Sequence, residues 1–238
     1  MERLGLIAGN GRFPIAAAVS AGKRGIKITA VAFIGETSKT LEKLVEKIFW
    51  IRIGELAKLF DIFERENIKE AIMAGQIRPI HLFKPWIKKD AALKSFLRKV
   101  KDRRGDSLLE SIAEELNKKG IELLNSSFLL SESLAEEGKL TARVPTADEL
   151  ENIEFGKIIA KKIADLGVGQ TVIVKNKAVL AVEAIEGTDK AIRRAMRLGG
   201  GGAIVVKASR SNHDMRFDIP AIGFKTLEVL KKAKIKVL

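Results

Sequence analysis

The sequence has no cysteine and no tyrosine, and only two histidines, His81 and His213, in 238 residues. The absence of cysteine excludes disulfides, thiolate-bound zinc, iron–sulfur clusters and a thiol nucleophile. Two histidines are too few for a His-rich metal site or a two-histidine catalytic scheme. No apolar run approaches the ~20 residues needed to span a bilayer, and no signal peptide is recognisable at the start. We therefore expect a soluble, cytosolic protein.

Positive charge is in excess, with 43 Lys and Arg against 30 Asp and Glu and a formal net charge of +13. The excess is concentrated in residues 78–104, where ten basic residues are opposed only by Asp90 and Asp102 and are interleaved with apolar ones. Such a segment is typical of contact with a membrane surface, a nucleic acid or an anionic small molecule. A solvated, lysine-rich helix face has the same composition.

The first part of the chain alternates between strand and helix signals. Short apolar runs separated by amphipathic stretches predict a parallel sheet with crossover helices. We therefore predict an α/β fold with a Rossmann-like N-terminal domain over residues 1–142. The predicted strands are residues 4–8, 28–33, 71–74 and 121–125, and the predicted helices are residues 14–22, 39–46, 55–66 and 106–118.

Residues 129–150 are polar and acidic and lack a regular period, so we place a linker at 143–150. A second, C-terminal α/β domain is predicted over residues 151–238 and is expected to carry catalysis. Its predicted helices are residues 155–166, 189–198 and 225–234, and its predicted strands are residues 171–174, 178–182 and 203–207, the first two forming a hairpin.

The first candidate site is Gly9-Asn10-Gly11-Arg12-Phe13-Pro14, at a predicted strand-to-helix turn. Glycines let a backbone approach a ligand closely, and the N–H groups at a helix start favour phosphate. The dinucleotide fingerprint G-x-G-x-x-G is incomplete, because its third glycine falls on Pro14. Glu36, just after the second strand, could accept a hydrogen bond from a ribose hydroxyl. A plain tight turn explains the glycines equally well.

The second candidate is Glu183-Ala184-Ile185-Glu186-Gly187-Thr188-Asp189, between a predicted strand and a predicted helix. Carboxylates on both sides of a glycine at a strand end could hold a hard cation such as Mg²⁺. The alternative is that Thr188 or Asp189 simply caps the helix.

The third candidate covers residues 207–223, after four glycines and a strand. Lys207, Arg210 and Arg216 offer phosphate contacts, and Asp214, Asp218 and His213 offer acid–base or metal chemistry. If this segment is extended, Asp214, Arg216 and Asp218 share one face because they are spaced by two. A surface salt-bridge ladder is the alternative.

At these motifs the chain resembles the UDP-2,3-diacylglucosamine pyrophosphatases of lipid A biosynthesis, of the metal-dependent kind unrelated to calcineurin-like phosphoesterases. The resemblance covers nearly the whole chain, and several long motifs occur in the same order. Two of the motifs, residues 5–14 and 181–189, include the first two candidates. The others are Gly75-Gln76-Ile77-Arg78-Pro79, Gly105-Asp106, Gly169-Gln170-Thr171-Val172-Ile173-Val174 and Asp214-Met215-Arg216-Phe217-Asp218-Ile219-Pro220-Ala221-Ile222-Gly223.

The resemblance implies hydrolysis of UDP-2,3-diacylglucosamine to UMP and 2,3-diacylglucosamine 1-phosphate by two domains that enclose the substrate. It also implies Mg²⁺ as cofactor, with Mn²⁺ as a substitute, and a peripheral position on the cytoplasmic face of the inner membrane. The essential aspartate of the family motif maps to Asp218.

From these considerations we assign roles as hypotheses. Asp218, Asp214 and Arg216 are the candidate catalytic residues, and Asp218, Asp214 and Glu186 are the candidate metal ligands. The candidate substrate-binding residues are Gly9, Asn10, Gly11, Arg12, Gln76, Arg78, Glu183, Gly187, Thr188, Asp189 and Lys207.

Two other functions stay open: hydrolysis of a nucleotide sugar without acyl chains, and nucleic-acid binding through the basic segment. No RNA- or DNA-binding motif is present, so we expect no nucleic-acid partner. The expected partners are the acylated nucleotide sugar and an anionic membrane surface contacted by residues 83–104, with a homodimer left open.

Overall fold

The computed structural model describes residues 2–77, 98, 105–212, 214–216 and 221–238, without the side chain of Asp106. These residues form two compact units. The first runs to Leu134 and also includes Met215 and Arg216, whereas the second comprises residues 135–214 and 221–238. No helix among the described residues combines the length and the apolar character needed to cross a bilayer.

The first unit is built on a five-stranded sheet in which every neighbouring pair is parallel. Its strand order, β3-β2-β1-β4-β5, reverses direction between β1 and β4, and such a switch point is where open α/β sheets bind ligands. The predicted Rossmann-like architecture is confirmed. The strands are β1 (Arg3–Ala8), β2 (Lys27–Phe33), β3 (Lys47–Ile51), β4 (Glu70–Ala74) and β5 (Glu122–Leu123), and the helices are α1 (Phe13–Lys23), α2 (Leu56–Arg65) and α3 (Gly105–Lys118).

Both faces of this sheet are buried. Leu59 and Phe63 of α2 and Leu116 of α3 pack on one face, and none of them is exposed. Ala17 and Ala21 of α1 pack on the other face. Strands covered on both sides need continuous apolar runs, which explains why β1, β2 and β4 are visible in the sequence.

The helix predicted at residues 39–46 was wrong beyond Lys43. A short 3₁₀ helix covers only Lys39–Lys43, and its start is capped by the Ser38 hydroxyl, which accepts from the Thr40 N–H at 3.3 Å. The chain then enters the unpredicted strand β3, which pairs with β2 along one side only and forms the sheet edge.

The second unit contains a three-stranded antiparallel sheet, in the order β7-β6-β8, with helices on both faces. The predicted hairpin is confirmed, and both of its turn residues, Asn176 and Lys177, have positive φ, as a type I′ turn requires. The strands are β6 (Thr171–Lys175), β7 (Ala178–Val182) and β8 (Ile204–Lys207), and the helices are α4 (Ala147–Asp165) on one face and α5 (Thr188–Gly199) and α6 (Phe224–Lys232) on the other.

Helix α4 begins eight residues before the predicted start at Phe155, inside the range predicted as a linker. A capping box explains this: the Thr146 hydroxyl accepts from the Glu149 N–H at 3.3 Å, and the Glu149 carboxylate accepts from the Thr146 N–H at 2.9 Å. Arg143 holds the same carboxylate at 2.7 and 2.9 Å and, by donating these hydrogen bonds, lowers its pKa. The predicted domain boundaries themselves stay predictions.

Candidate functional site

The loops after β1 and β4 meet at the switch point of the first unit. The Gly9 N–H donates to the Ala74 carbonyl and the Asn10 N–H donates to the Gln76 carbonyl, both at 2.8 Å. A Cβ at Gly9 would lie 2.8 Å from the carbonyl carbon of Gly75, which itself has a φ of +81°. These glycines therefore permit the two loops to touch, and the amides of Gly9 and Asn10 are already engaged.

Gly11, in contrast, has open space around it and a φ of +94°, and both it and Arg12 are exposed. If this turn binds phosphate, Gly11 and Arg12 are the part of it that faces solvent.

The loop after β2 places a carboxylate beside this turn. Glu36 is buried, with 6% of its surface exposed, and its Oε2 accepts from Asn10 Nδ2 at 3.2 Å. The neighbouring Thr37 fixes the loop, because its hydroxyl accepts from the Phe33 N–H at 2.9 Å and donates to the Ala8 carbonyl.

The loop after β5 holds part of the third candidate motif. The Ser126 N–H donates to the Met215 carbonyl at 3.0 Å, and the Ser126 hydroxyl donates to the Arg216 carbonyl. Met215 and Arg216 form a turn. An extended conformation, the condition under which Asp214, Arg216 and Asp218 would share one face, is therefore not found at these two residues, because their carbonyls turn toward Ser126 rather than into a ladder. Arg78, His213 and Asp218 lie outside the described residues.

The second unit gathers four polar side chains at one edge of its sheet. Lys207 Nζ lies 3.3 Å from the Thr188 hydroxyl, 3.4 Å from the Thr171 hydroxyl and 3.8 Å from Glu183 Oε2. The Thr188 hydroxyl donates to Glu183 Oε1 at 2.8 Å. We call Lys207, Glu183, Thr188 and Thr171 the lysine cluster.

The antiparallel pairing explains why these four residues meet. Thr171 begins the central strand β6, Glu183 follows the end of β7, and Lys207 ends β8. Gly169 allows the close approach, because a Cβ there would overlap the Glu183 carbonyl oxygen. Sequence spacing could not show this juxtaposition, since it depends on which strands pair.

The lysine cluster is largely buried, but its polar groups are not all paired among the described residues. The Lys207 and Glu183 side chains are each 13% exposed, and Glu183 Oε2 makes no hydrogen bond within the described part of the chain. A buried acceptor without a donor is uncommon and calls for an explanation, such as a water or ligand hydroxyl.

Helix α5 starts at this cluster, and neither Thr188 nor Asp189 caps it, in contrast to the alternative given for the second candidate. The N-cap residue is Gly187, with a φ of 84°, and no side chain in the described part of the chain caps the helix. Thr188 instead binds Glu183, and Asp189 accepts from the Thr226 hydroxyl at 3.0 Å. The uncapped N-terminus adds a partial positive charge near Lys207.

The loop after β8 is fastened to the end of α4. The Asp165 carboxylate accepts from the Ser211 N–H at 2.7 Å and from its hydroxyl at 3.0 Å, and the backbone hydrogen bond lowers the pKa of Asp165. Lys161 Nζ donates to the Ser209 carbonyl at 3.1 Å. The segment that leads toward Asp214 is thus held at its start.

The carboxylates of the described residues do not assemble a metal site. No three of their aspartates, glutamates and histidines come together. Of the predicted ligands, Glu186 is engaged by Arg194 at 2.6 Å and by the Ala184 N–H at 3.1 Å. Arg194 and the Ala184 N–H would therefore compete with a cation for the Glu186 carboxylate.

Two family models match the chain end to end. Residues 3–133 match the LpxI N-terminal domain, and residues 136–238 match the LpxI C-terminal domain. The chain belongs to the LpxI family. A curated relative, the UDP-2,3-diacylglucosamine pyrophosphatase LpxI of Caulobacter vibrioides, is 28% identical over 98% of this chain and 86% of its own length.

Likeness to solved structures is remote. The biotin carboxylase domain of Hydrogenobacter thermophilus 2-oxoglutarate carboxylase is 14% identical with a TM-score of 0.32, over 87% of this chain and 44% of that one. Rhizobium etli pyruvate carboxylase is 13% identical with a TM-score of 0.31, over 87% of this chain and 16% of that one. Scores this low do not establish a shared fold with either carboxylase.

The predicted binding residues of this LpxI-family chain thus fall into two groups. Gly9, Asn10 and Gln76 meet in the first unit, and Glu183, Thr188 and Lys207 meet in the second. Thr171 was missed as a site residue. The signal in the sequence was a polar residue at the start of an apolar strand, and the structure shows that this threonine is fully buried.

Proposed function

We propose that this chain hydrolyses the pyrophosphate bond of UDP-2,3-diacylglucosamine, releasing UMP and 2,3-diacylglucosamine 1-phosphate. Family membership over nearly the whole chain supports this activity, as does the pyrophosphatase activity for which the Caulobacter relative is named. The observation that carries the proposal is the lysine cluster, because it places a buried cation and an uncapped helix start where two of the family's motifs meet.

The reaction breaks one P–O bond of the bridge and adds the oxygen of water to one of the two phosphorus atoms. Negative charge builds on the phosphate that leaves, so cations and N–H donors aimed at it lower the barrier. Lys207 supplies a compact positive charge, and the Thr188 and Thr171 hydroxyls hold its amino group in place. In our proposal Lys207 binds a phosphate oxygen of the substrate.

Glu183 and the family's aspartates complete the proposed machinery. Glu183 Oε2, the buried acceptor without a donor, suits a substrate hydroxyl or an ordered water. Asp214 and Asp218 are proposed to orient the attacking water, with Arg216 neutralising phosphate charge. Asp218 and Arg78 lie outside the described residues, so their roles depend on the family motif alone.

We keep dependence on Mg²⁺, or Mn²⁺ in its place, as a proposal. Oxygen-rich side chains and the absence of cysteine suit a hard cation. The described carboxylates do not make such a site, and Glu186 is poorly suited because Arg194 occupies it. Asp214 and Asp218 are the ligands that we propose.

We also propose that the protein acts in the cytoplasm, at the cytoplasmic face of the inner membrane. The acylated substrate favours a peripheral membrane position, and the basic, apolar residues 83–104 suit anionic lipids. This segment lies outside the described residues. Flotation of the full chain with anionic and with neutral vesicles tests the proposal, since only anionic vesicles should carry the protein.

The decisive assay follows UMP release from UDP-2,3-diacylglucosamine and from non-acylated UDP-N-acetylglucosamine, each with and without EDTA. The proposal expects release from the acylated substrate alone. Equal release from both would favour a hydrolase of non-acylated nucleotide sugars. No release from either would contradict the proposed function.

A further inference from the structure

Helices α5 and α6 are neighbours on one face of the sheet of the second unit. The Thr226 hydroxyl of α6 donates to Asp189 Oδ1 of α5 at 3.0 Å and joins their first turns. The sides that face the sheet are apolar and pack in one cluster, through Ala191, Ile192, Ala195, Val229, Leu230 and Ala233. The opposite sides of the two helices form an outer surface, which we call the α5–α6 face.

The α5–α6 face is strongly basic. The two helices contain seven Lys and Arg against two Asp and Glu, and all seven basic residues are exposed: Lys190, Arg193, Arg194, Arg197, Lys225, Lys231 and Lys232. Lys190, Arg193 and Arg197 have the spacing i, i+3, i+7 and therefore lie along one side of α5. Arg194 is compensated by Glu186 at 2.6 Å, and Lys225 lies 3.7 Å from Asp189.

Apolar side chains are exposed among these basic residues. Phe224 and Leu227 of α6 are 71% and 48% exposed, and Met196 of α5 is 37% exposed. Phe224, Leu227 and Lys231 again have the spacing i, i+3, i+7, so a phenylalanine, a leucine and a lysine share one side of α6. Exposed Phe and Leu beside Lys and Arg are typical of surfaces that lie in a membrane interface.

Two kinds of polyanion complement the charge of the α5–α6 face: an anionic bilayer and a nucleic acid. The apolar side chains favour the bilayer. Phe224, Leu227 and Met196 would leave water on entering its interfacial region, whereas a phosphate backbone offers leucine and methionine no apolar surface.

The α5–α6 face is also close to the lysine cluster. Helix α5 begins at Thr188, whose hydroxyl donates to Glu183 at 2.8 Å within that cluster. Arg197 follows Thr188 by nine residues, which corresponds to about 14 Å along a helix axis. A bilayer that contacts this face would therefore bring its headgroups near the proposed phosphate-binding lysine.

We propose that the α5–α6 face docks the protein on an anionic membrane. Its Lys and Arg side chains contact the phospholipid headgroups, and Phe224 and Leu227 enter the interfacial region. The choice of a membrane rests in part on the proposed function, because the substrate of that reaction is acylated. This contact is separate from the one proposed for residues 83–104.

The test measures binding of the full chain to vesicles of phosphatidylglycerol and phosphatidylcholine in equal parts. The triple variant Arg193→Glu/Arg197→Glu/Lys231→Glu should bind at least about tenfold more weakly than the wild type, since each basic residue near an anionic surface strengthens binding about fivefold. The matched control Lys23→Glu/Lys43→Glu/Lys69→Glu makes the same change of net charge at exposed positions of the first unit. It should bind within about threefold of the wild type. Equal losses in the two variants would overturn the proposal.

A second pair of variants tests the apolar contact without changing any charge. Phe224→Ser/Leu227→Ser should weaken vesicle binding by about tenfold, because both side chains lose apolar surface that the interface would bury. The control Ile158→Ser/Leu166→Ser removes two exposed apolar side chains from α4, on the other face of the same sheet. Both variants should elute from heparin like the wild type, because heparin retention depends on charge. Vesicle binding that Phe224→Ser/Leu227→Ser leaves unchanged would overturn the proposal.

A nucleic-acid partner would give a different pattern. A wild type that binds duplex DNA but not the anionic vesicles, with the DNA affinity lost in the Arg193→Glu/Arg197→Glu/Lys231→Glu variant, would overturn docking on a membrane.

The docking surface and the proposed function fail separately. If UMP is released from the acylated substrate but both α5–α6 variants bind vesicles like the wild type, the surface is wrongly assigned and the activity stands. If vesicle binding depends on the α5–α6 face but no UMP is released, the surface stands and the proposed function is wrong.

Discussion

Replacing Lys207 by methionine tests whether this lysine binds phosphate or only neutralises Glu183. Methionine keeps the length of the side chain and removes its charge. Lys207 Nζ is 3.8 Å from Glu183 Oε2, and both side chains are 13% exposed. The burial of this pair is therefore intermediate. An exposed ion pair stabilises a protein by about 0.2–1 kcal/mol, and removing one partner of a buried pair costs about 3–5 kcal/mol. We expect Lys207→Met to lower the free energy of unfolding by about 2 kcal/mol.

The effect on turnover has a different origin. A charge-assisted hydrogen bond to a phosphate oxygen contributes about 1.5–3 kcal/mol, so its loss lowers kcat/KM by about 10- to 100-fold. The assay is UMP release from UDP-2,3-diacylglucosamine, with chemical denaturation of the same preparations to measure stability.

The double variant Lys207→Met/Glu183→Gln decides between the two roles. Removing both charges should restore most of the lost stability, because no unpaired carboxylate remains. Turnover should stay low, and Glu183→Gln alone serves as the matched control. A double variant with wild-type kcat/KM would refute phosphate binding by Lys207, as would a single variant that loses less than about threefold.

Three further substitutions and one metal removal extend the account. Asp218→Ala should keep less than about a tenth of the wild-type kcat, a loss of more than ~1.4 kcal/mol, while still binding the substrate; a smaller loss would make Asp218 structural. EDTA should abolish UMP release and Mg²⁺ should restore it, whereas full turnover in excess chelator would contradict metal dependence. Gly75→Ala should lower the free energy of unfolding by at least about 1 kcal/mol, because alanine disfavours its φ of +81°; an unchanged denaturation midpoint would contradict this. The Arg143 hydrogen bonds hold the pKa of Glu149 below its ordinary value of 4.5. The stability that they provide is therefore present above pH 4.5 and is lost as the pH falls through the pKa that Glu149 has in the folded protein. Glu149→Gln should remove this part of the acid dependence in denaturation curves measured against pH.

The sheet of the first unit could be predicted because its central strands are buried on both faces. Strands β1, β2 and β4 read as uninterrupted apolar runs for that reason. Strand β3 was not predicted because it lies at the sheet edge, where most of its residues are only half-buried. Its short Lys-Ile-Phe-Trp-Ile sequence directly follows charged residues that favour the prediction of a helix.

The start of α4 was readable but was missed. Thr146 and Glu149 have the spacing of a capping box, which marks a helix start in sequence. The acidic, irregular residues before it concealed the signal.

The lysine cluster could be predicted only in part. Thr171, Glu183 and Thr188 stand in motifs that carry the family resemblance, and Lys207 was predicted as a phosphate contact from its place in the third candidate. Their contacts depend on the antiparallel pairing of β6 with β7 and β8 and on the close approach at Gly169. No spacing rule in one sequence specifies that pairing.

The central claim is that this chain cleaves an acylated nucleotide sugar, and UMP release measures it most directly. The purified full chain is incubated with UDP-2,3-diacylglucosamine in detergent, and UMP and the lipid product are quantified together. The account predicts equimolar UMP and 2,3-diacylglucosamine 1-phosphate, with the label from ¹⁸O-water in one of the two products. Intact substrate after prolonged incubation with Mg²⁺ or Mn²⁺, by protein that is shown to be folded, would contradict it.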